Sequence, residues 1–112
     1  MSEGLKTIIY PVSDLQAAKA VFTALLETDP YIDESYYVGY RVADQEIGLD
    51  PGGKGLGGPL PYSTVGDIEA ALRSLLDAGA ELQNDIKDVG GGTLIATVTD
   101  RDSNAIGLLQ RV

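Results

Sequence analysis

One stretch of this sequence occurs twice, and such an internal repeat constrains the fold more than any other feature. The segment VSDLQAA at residues 12–18 returns as VGDIEAA at residues 65–71. The tripeptide IGL at residues 47–49 also returns, at residues 106–108, so the two pairs keep the same order. The sequence therefore predicts two related modules.

The first module begins with a strand and a helix. The apolar run 5–10 predicts the strand, and Asp14 is a typical N-cap residue. Apolar residues at helical spacing follow, and Pro30 ends that pattern. The next two segments, 36–43 and 46–49, predict a β-hairpin.

The second module repeats this order. Residues 60–65 predict its first strand, Asp67 is expected to cap its helix, and Gly79 to end that helix. Three further segments with strand character follow at 80–89, 93–99 and 105–110.

The predicted fold class is α+β, with two modules related by internal duplication, each in the order β-α-β-β(-β). All 112 residues are expected to form a single domain. Module 1 covers about residues 1–50 and module 2 about residues 60–112, with a Gly/Pro-rich linker at 51–59. Because each helix needs a sheet face to cover, we expect one layer of strands and one of helices.

The composition excludes several functional classes. The chain has no histidine and no cysteine, which removes His-dependent hydrolases and most zinc sites. Its net charge of −9, with only eight Lys and Arg residues, is opposite to that of a nucleic-acid-binding protein. No apolar run is long enough to span a membrane, and the first residues do not resemble a signal peptide. We therefore expect a cytoplasmic protein that binds neither nucleic acid nor membrane.

Three features in fixed order match a known pattern. They are the paired VSDLQAA and VGDIEAA boundaries, the AGA tripeptide at 78–80, and DRDSNAIGL at 100–108. Together they resemble the glyoxalase/bleomycin-resistance/extradiol-dioxygenase superfamily, also called the vicinal oxygen chelate superfamily. The resemblance implies two βαβββ modules related by internal duplication, whose curled mixed sheet forms a cleft with the helices on the outer face, and a homodimer.

The resemblance also implies where a metal would bind. Enzymes of that superfamily hold one divalent ion with side chains from the first and last strands of each module. The corresponding positions in this sequence are Thr7, Gly48, Leu60 and Gly107. Only the Thr7 hydroxyl could coordinate an ion, and weakly, so we expect neither the metal nor another cofactor.

Alternation along the strands predicts which residues face the cleft. Those assigned to it are Thr7, Ile9, Gly48, Leu60, Tyr62, Thr64, Gly107 and Leu109. Those assigned to the helix side are Ile8, Tyr10, Val65, Ile106 and Leu108. The cleft lining is apolar with a few hydroxyls, which suits an aromatic or amphipathic small molecule. The two glycines on its floor leave space for such a ligand; alternatively, they mark bulges or close backbone approach.

Three tyrosines near the third strand of module 1 are further candidates. Tyr36, Tyr37 and Tyr40 could stack on a planar ligand or simply pack in the core and at the edge. We assign Tyr37 to the ligand-binding set. Arg41 is expected on the same side as Tyr37, where it would pair with an anionic ligand group or remain solvated.

Three acidic residues surround the predicted hairpin. Asp44, Glu46 and Asp50 could bind a cationic ligand or a hard cation. Alternatively, they keep a sheet edge soluble and unable to pair with other strands.

The preferred hypothesis is a metal-free protein that sequesters a hydrophobic or aromatic compound, with a resistance role as one outcome. No catalytic residue can be identified. Two alternatives stay open: a lyase-, isomerase- or dioxygenase-like enzyme with a non-standard site in the same cleft, and an interaction module whose cleft is filled by its own side chains.

Overall fold

The computed structural model describes residues 2–52 and 58–111. The elements in chain order are β1 (Ser2–Pro11), α1 (Leu15–Leu26), β2 (Ile32–Glu34), β3 (Tyr37–Val42), β4 (Gln45–Asp50), β5 (Leu60–Val65), α2 (Ile68–Asp77), β6 (Glu81–Asp88), β7 (Leu94–Thr99) and β8 (Ala105–Gln110). Each module follows the order βαβββ, so the predicted α+β class with duplicated modules is confirmed.

Three details differ from the sequence prediction. Strand β1 begins at Ser2 rather than at residue 5, and the short strand β2 lies where no strand had been assigned. The hairpin turn lies at residues 43–44, one position earlier than expected, and Ala43 adopts a left-handed φ of 56° there. Neither β2 nor the start of β1 has a run of apolar residues, so periodicity gives no signal for them.

The chain divides into two compact units. One is Thr7–Leu60, and the other consists of residues 2–6 and 61–111. Residues 53–57, the centre of the predicted linker, lie outside the described residues.

In the unit Thr7–Leu60, the strand order is β2-β3-β4-β1. Strand β1 pairs with β4 in parallel, whereas β3 is antiparallel to both β2 and β4. Helix α1 packs on one face of these strands, over a core of Val38, Tyr40 and Leu49. Those three side chains are fully buried.

In the other unit, the strand order is β5-β8-β7-β6. Strands β5 and β8 are parallel, and the remaining pairs are antiparallel. Helix α2 buries Ile68 and Leu72 against this sheet. The rest of the buried cluster consists of Val65, Ala96, Val98 and Leu108.

The two helices begin in the same way. The Asp14 Oδ1 accepts a hydrogen bond from the Ala17 N–H at 3.0 Å, and the Asp67 Oδ1 accepts one from the Ala70 N–H at 3.1 Å. Both predicted N-caps are therefore confirmed. Within residues 2–52 and 58–111, neither helix has the length and hydrophobicity needed to cross a membrane.

Candidate functional site

Each unit has a strand face that its helix does not cover, and we call this the open face of the unit. In the first unit the side chains under α1 include Tyr10, Tyr40 and Leu49, so alternation puts their strand neighbours on the open face. In the second unit Val65, Ala96 and Leu108 lie under α2. The nine residues predicted to bind ligand all lie on open-face positions: Thr7, Ile9, Tyr37, Gly48, Leu60, Tyr62, Thr64, Gly107 and Leu109.

On the open face of the first unit, side chains from three strands lie in two rows. Cross-strand pairing aligns Thr7 with Glu46, and Glu46 with Arg41. The second row aligns Ile9, Gly48 and Gly39. Polar side chains thus occupy one row, and small or apolar side chains occupy the next.

The Tyr37 ring lies over Gly48. A methyl group at position 48 would lie 2.6 Å from the Tyr37 Cζ and 2.7 Å from the Ile9 Cδ1, closer than real side chains approach. One at Gly39 would lie 3.0 Å from the Tyr37 Cε2. The Tyr37 ring therefore packs directly against the backbone of Gly48, in the space that a side chain would occupy. The expectation of open space above Gly48 is wrong.

Gly107 has the same relation to Tyr62 in the second unit. A methyl group there would lie 2.8 Å from both the Cγ and the Cε1 of Tyr62. The two residues are direct cross-strand partners, and Tyr62 is only 8% exposed. A side-chain ring therefore lies over each glycine, whereas the alternative interpretation was a bulge or close backbone approach.

Next to Tyr37 lies a polar group of three residues that we call the Tyr31 triad: Tyr31, Arg41 and Glu46. The Tyr31 hydroxyl donates a 2.6 Å hydrogen bond to the Glu46 Oε2. The Arg41 Cζ lies 4.1 Å from the centre of the Tyr31 ring, a cation–π distance. The triad belongs to the open face, because Arg41 and Glu46 are cross-strand partners there.

The environment of Tyr31 changes its acidity. Partial burial and the hydrogen bond to Glu46 both raise the pKa of the Tyr31 phenol, and Arg41 opposes them less strongly. At neutral pH the phenol is therefore a hydrogen-bond donor beside a carboxylate. This arrangement can bind a polar ligand group or hold a proton.

Tyr31 was not among the residues predicted from the sequence. Glu46 was predicted only as a candidate for binding a cation and was not assigned to the ligand-facing set. Alternation already places Glu46 on the same side as Gly48, two residues away, so that signal was present. Tyr31 follows Pro30 outside any predicted element, and nothing local indicates that its ring turns towards β4.

The other two tyrosine candidates do not contribute to the open face. Tyr40 is fully buried under α1, where its hydroxyl hydrogen-bonds with the Thr23 Oγ1 at 2.7 Å and donates to the Lys19 carbonyl at 3.1 Å. Tyr36 is 70% exposed and precedes β3. Packing accounts for Tyr40, as the alternative interpretation held.

No protein-family model matches the sequence, and neither does any curated protein. Solved structures do match over almost the whole chain. Methylmalonyl-CoA epimerase from Mycobacterium tuberculosis is 19% identical with a TM-score of 0.78, covering 99% of this chain and 89% of that one. A glyoxalase/bleomycin resistance protein/dioxygenase superfamily member from Vibrio splendidus 12B01 is 14% identical with a TM-score of 0.72, and the match covers 100% of both chains.

The chain has the vicinal oxygen chelate fold. The likeness stops at the fold, because these identities are low and the matching structures differ in stated activity. An NAD-dependent benzaldehyde dehydrogenase from Legionella pneumophila matches with a TM-score of 0.75 at 12% identity, covering 95% of this chain and 98% of that one.

The four residues that the family resemblance assigns to metal binding do not fit a metal ion. Gly48 and Gly107 offer no side-chain donor, and a tyrosine ring fills the room above each. Leu60 is apolar, which leaves the Thr7 hydroxyl as the one oxygen of the four side chains. Among the described residues, no three acidic side chains form a group that could hold an ion.

A cavity of about 430 Å³ lies on the helix side of the second unit. Its volume is in the range typical of small-molecule sites. Side chains of β5, β8 and α2 form most of the lining: Ser2, Ser63, Val65, Asp67, Ala70, Ala71, Ser74, Leu75, Ile106 and Leu108. Val65, Ile106 and Leu108 were predicted to face this side, but no cavity was expected there. It is a second place where a ligand could bind.

Proposed function

We propose that this chain is a metal-free, cytoplasmic small-molecule-binding protein that sequesters a hydrophobic or aromatic compound. The observation that carries the proposal is the repeated arrangement of a tyrosine ring over a glycine, Tyr37 on Gly48 and Tyr62 on Gly107. Both rings lie on open faces, but Tyr62 is only 8% exposed, so the half-buried Tyr37 ring is the one of the two that a ligand can reach. A compound taken up in this way would be kept from its target, which is a resistance role.

A ring held against glycine is a favourable surface for a planar ligand. Its position is fixed before the ligand arrives, so little conformational entropy is lost on binding. Tyrosine adds a hydroxyl that can donate a hydrogen bond to the ligand. The neighbouring Tyr31 triad supplies a guanidinium and a carboxylate, which would orient a ligand that carries a polar substituent.

The burial of Tyr62, which is only 8% exposed, favours a second candidate function, an interaction module. If the tyrosine rings serve only to fill the open faces, no ligand is needed to complete them. The same side chains would then contribute to stability alone. An enzyme is the third candidate, and the hydrogen-bonded Tyr31–Glu46 pair is the group on this face able to handle a proton.

The deciding experiment is a thermal-unfolding screen of tag-free protein in EDTA against planar aromatic compounds, alkyl compounds and aromatic antibiotics. A ligand at about 100 times its Kd stabilises a protein by about 2.7 kcal/mol. Tyrosine fluorescence gives a second readout, because the chain has six tyrosines and no tryptophan. Stabilisation by a ring-containing compound is expected, and a flat response to the whole panel would favour the interaction module.

Three variants assign the site of any compound that binds. Tyr37→Leu removes the ring over Gly48 and should abolish binding. Tyr36→Leu, at the exposed neighbouring position, is its control and should bind normally. Ser74→Trp fills the helix-side cavity, so loss of binding in this variant alone would move the site there.

A parallel screen with Mg, Mn, Co, Ni and Zn tests the metal-free part of the proposal. No shift is expected, since Thr7 offers the one side-chain oxygen among the four positions. Strong stabilisation by one ion would put the enzyme candidate first and would send the search for its ligands to other side chains.

A further inference from the structure

The helix-side cavity of the second unit differs from the equivalent region of the first unit in what fills it. In module 1, the rings of Tyr10 on β1 and Phe22 on α1 pack beneath the helix with their centres 4.8 Å apart. With the repeated segments 12–18 and 65–71 aligned, Ser63 takes the position of Tyr10 and Leu75 that of Phe22. Both residues line the cavity of about 430 Å³. Module 2 therefore has a cavity where module 1 has two aromatic rings.

The other walls of the cavity are the same in both modules. Six of its lining residues have identical counterparts in module 1: Val65, Asp67, Ala70, Ala71, Ile106 and Leu108. The third difference, besides Ser63 and Leu75, is Ser74 in place of Val21. Each of these three positions carries a smaller side chain in module 2 than in module 1. The two modules thus share the walls of this space and differ in its filling.

We propose that the helix-side cavity binds a small molecule that carries an aromatic ring system and a protonated amine. The ring system takes the place that Tyr10 and Phe22 fill in module 1. The buried side chains of Val65 and Leu108 provide an apolar surface for it. This inference goes beyond the proposed function, because that function concerns the open faces, whereas this site lies on the helix side of the second unit.

The charge of the lining determines which polar group the ligand carries. Among the described residues that line the cavity, Asp67 is the one charged residue, and Ser2, Ser63 and Ser74 add hydroxyls. The Asp67 Oδ1 already accepts a hydrogen bond from the Ala70 N–H, but a carboxylate has room for further donors. The net charge of −9 also attracts cations and repels anions. An ammonium group is therefore favoured over a carboxylate.

The N-terminus of α2 does not reverse this preference. A helix N-terminus attracts anions through its free N–H groups. Here the Ile68 N–H donates to the Gln110 Oε1 at 2.7 Å, and the Ala70 N–H donates to the Asp67 Oδ1 at 3.1 Å. Both groups are thus used within the chain and are not available to an anionic ligand.

Isothermal titration calorimetry in EDTA tests the proposal with three probes that share one ring system: 2-naphthylmethylamine, 2-naphthylmethanol and 2-naphthoate. The amine is expected to bind with a Kd on the order of 0.1–1 mM, in keeping with its small size. The alcohol should bind more weakly than the amine. The carboxylate should bind roughly tenfold more weakly than the amine, since it meets the like charge of Asp67. No binding of any probe, or equal binding of all three, would overturn the proposal.

The key variant, Ser63→Tyr/Leu75→Phe, places the two rings of module 1 in the cavity. It should lose binding of the amine while its circular dichroism spectrum stays unchanged. Leu76→Phe is the matched control, because it adds the same ring at a neighbouring, exposed α2 position outside the lining, and it should bind normally. If the double variant does not fold, Ser74→Trp replaces it, a single change at the exposed rim. Unchanged binding in the filled variant would overturn the proposal.

A second pair of variants tests the role of the Asp67 charge. Asp67→Asn keeps a side-chain oxygen for the helix cap but removes the charge. The affinity for the amine should fall to that for the alcohol. Asp14→Asn makes the same change in module 1, with the same effect on the net charge, and should leave the affinity unchanged. An equal loss in both variants would show that the net charge rather than Asp67 attracts the amine, and would reject this role of Asp67.

Tyr37→Leu distinguishes the cavity from the open face. Amine binding that persists in Tyr37→Leu but is lost in Ser63→Tyr/Leu75→Phe supports the cavity site, whatever the open face binds. Amine binding that Tyr37→Leu abolishes and the double variant retains belongs to the open face. That result would overturn this inference and leave the proposed function standing.

Discussion

The two modules cover an equivalent glycine with a tyrosine ring, but the tyrosine comes from a different strand in each. In both, a glycine on the last strand is covered by a tyrosine ring. In module 1 the ring comes from β3, as Tyr37, whereas Ile9 lies on the first strand. In module 2 the ring comes from the first strand of the module, as Tyr62, and the register places Ile95 at the position equivalent to Tyr37. What the duplicated modules share is therefore a ring over a glycine, not a tyrosine at one position.

The helices differ in how firmly they pack. Helix α2 buries Ile68 and Leu72, but none of the residues of α1, all of which the structure describes, is buried. The α1 position equivalent to Leu72 is Lys19, whose ammonium pairs with Asp33. The second helix is anchored by fully buried apolar side chains, and the first by partly buried ones together with polar contacts.

The largest expected effect follows from that difference. Leu72→Ala should lower the free energy of unfolding by roughly 2–5 kcal/mol, because it removes buried methyl groups and leaves a cavity. Lys19→Ala, its counterpart in α1, should cost far less, since exposed ion pairs contribute little. Urea unfolding of both variants measures the contrast. Equal losses would mean that the two helices are anchored alike.

A smaller effect on the free energy of unfolding is expected when alanine replaces the glycine beneath either tyrosine ring. Gly107→Ala should destabilise by about 1–3 kcal/mol, because the new methyl group overlaps the Tyr62 ring and the ring must move. Gly48→Ala should cost less, because Tyr37 is less buried than Tyr62 and can move towards solvent more easily. Gly66→Ala is the control, since a methyl group there meets nothing within 4 Å.

Thermal unfolding of the three glycine variants gives the ranking. If Gly107→Ala is as stable as Gly66→Ala, the rings are not fixed over their glycines. The proposed ligand surface would then lose its physical basis.

The two tyrosine–glycine contacts show which parts of the structure the sequence could predict and which it could not. The repeat predicted two related modules, and the family resemblance supplied the full βαβββ order, including the strand β2 that no local pattern indicates. Strands β5 and β8 were predicted to the residue because turn or cap residues bound them. Alternation assigned the nine candidate ligand-binding residues to the strand faces that the helices do not cover. The ring over each glycine was not predictable, because it depends on side-chain rotamers and on cross-strand register, and neither leaves a local pattern. For the same reason the triad partner Tyr31 was missed.

Tyr40 provides a third comparison, between hydrogen bonds and burial in anchoring α1. Its hydroxyl bonds the Thr23 side chain and the Lys19 carbonyl while its ring fills the core. Tyr40→Phe keeps the ring and should destabilise by about 0.5–1.5 kcal/mol for each hydrogen bond whose partner is left unpaired. Tyr10→Phe, at another tyrosine in the α1 cluster, is the control. A neutral Tyr40→Phe result in urea unfolding would mean that apolar contacts alone anchor α1.

The smallest expected effect concerns the Tyr31 triad, which has no counterpart in the second unit. The pKa of Tyr31 is raised by burial and by Glu46, so the folded state favours the neutral phenol. This stabilisation is fully present below the unfolded-state pKa of about 10 and is lost as the pH rises through the higher folded-state pKa. Glu46→Gln removes the carboxylate and should lower the pKa of Tyr31, while burial still keeps it above the ordinary value. Ultraviolet titration of the phenolate, with Tyr31→Phe to assign the signal and Glu69→Gln to match the charge change, measures this shift. An unchanged Tyr31 titration in Glu46→Gln would show that the hydrogen bond between them does not persist in solution.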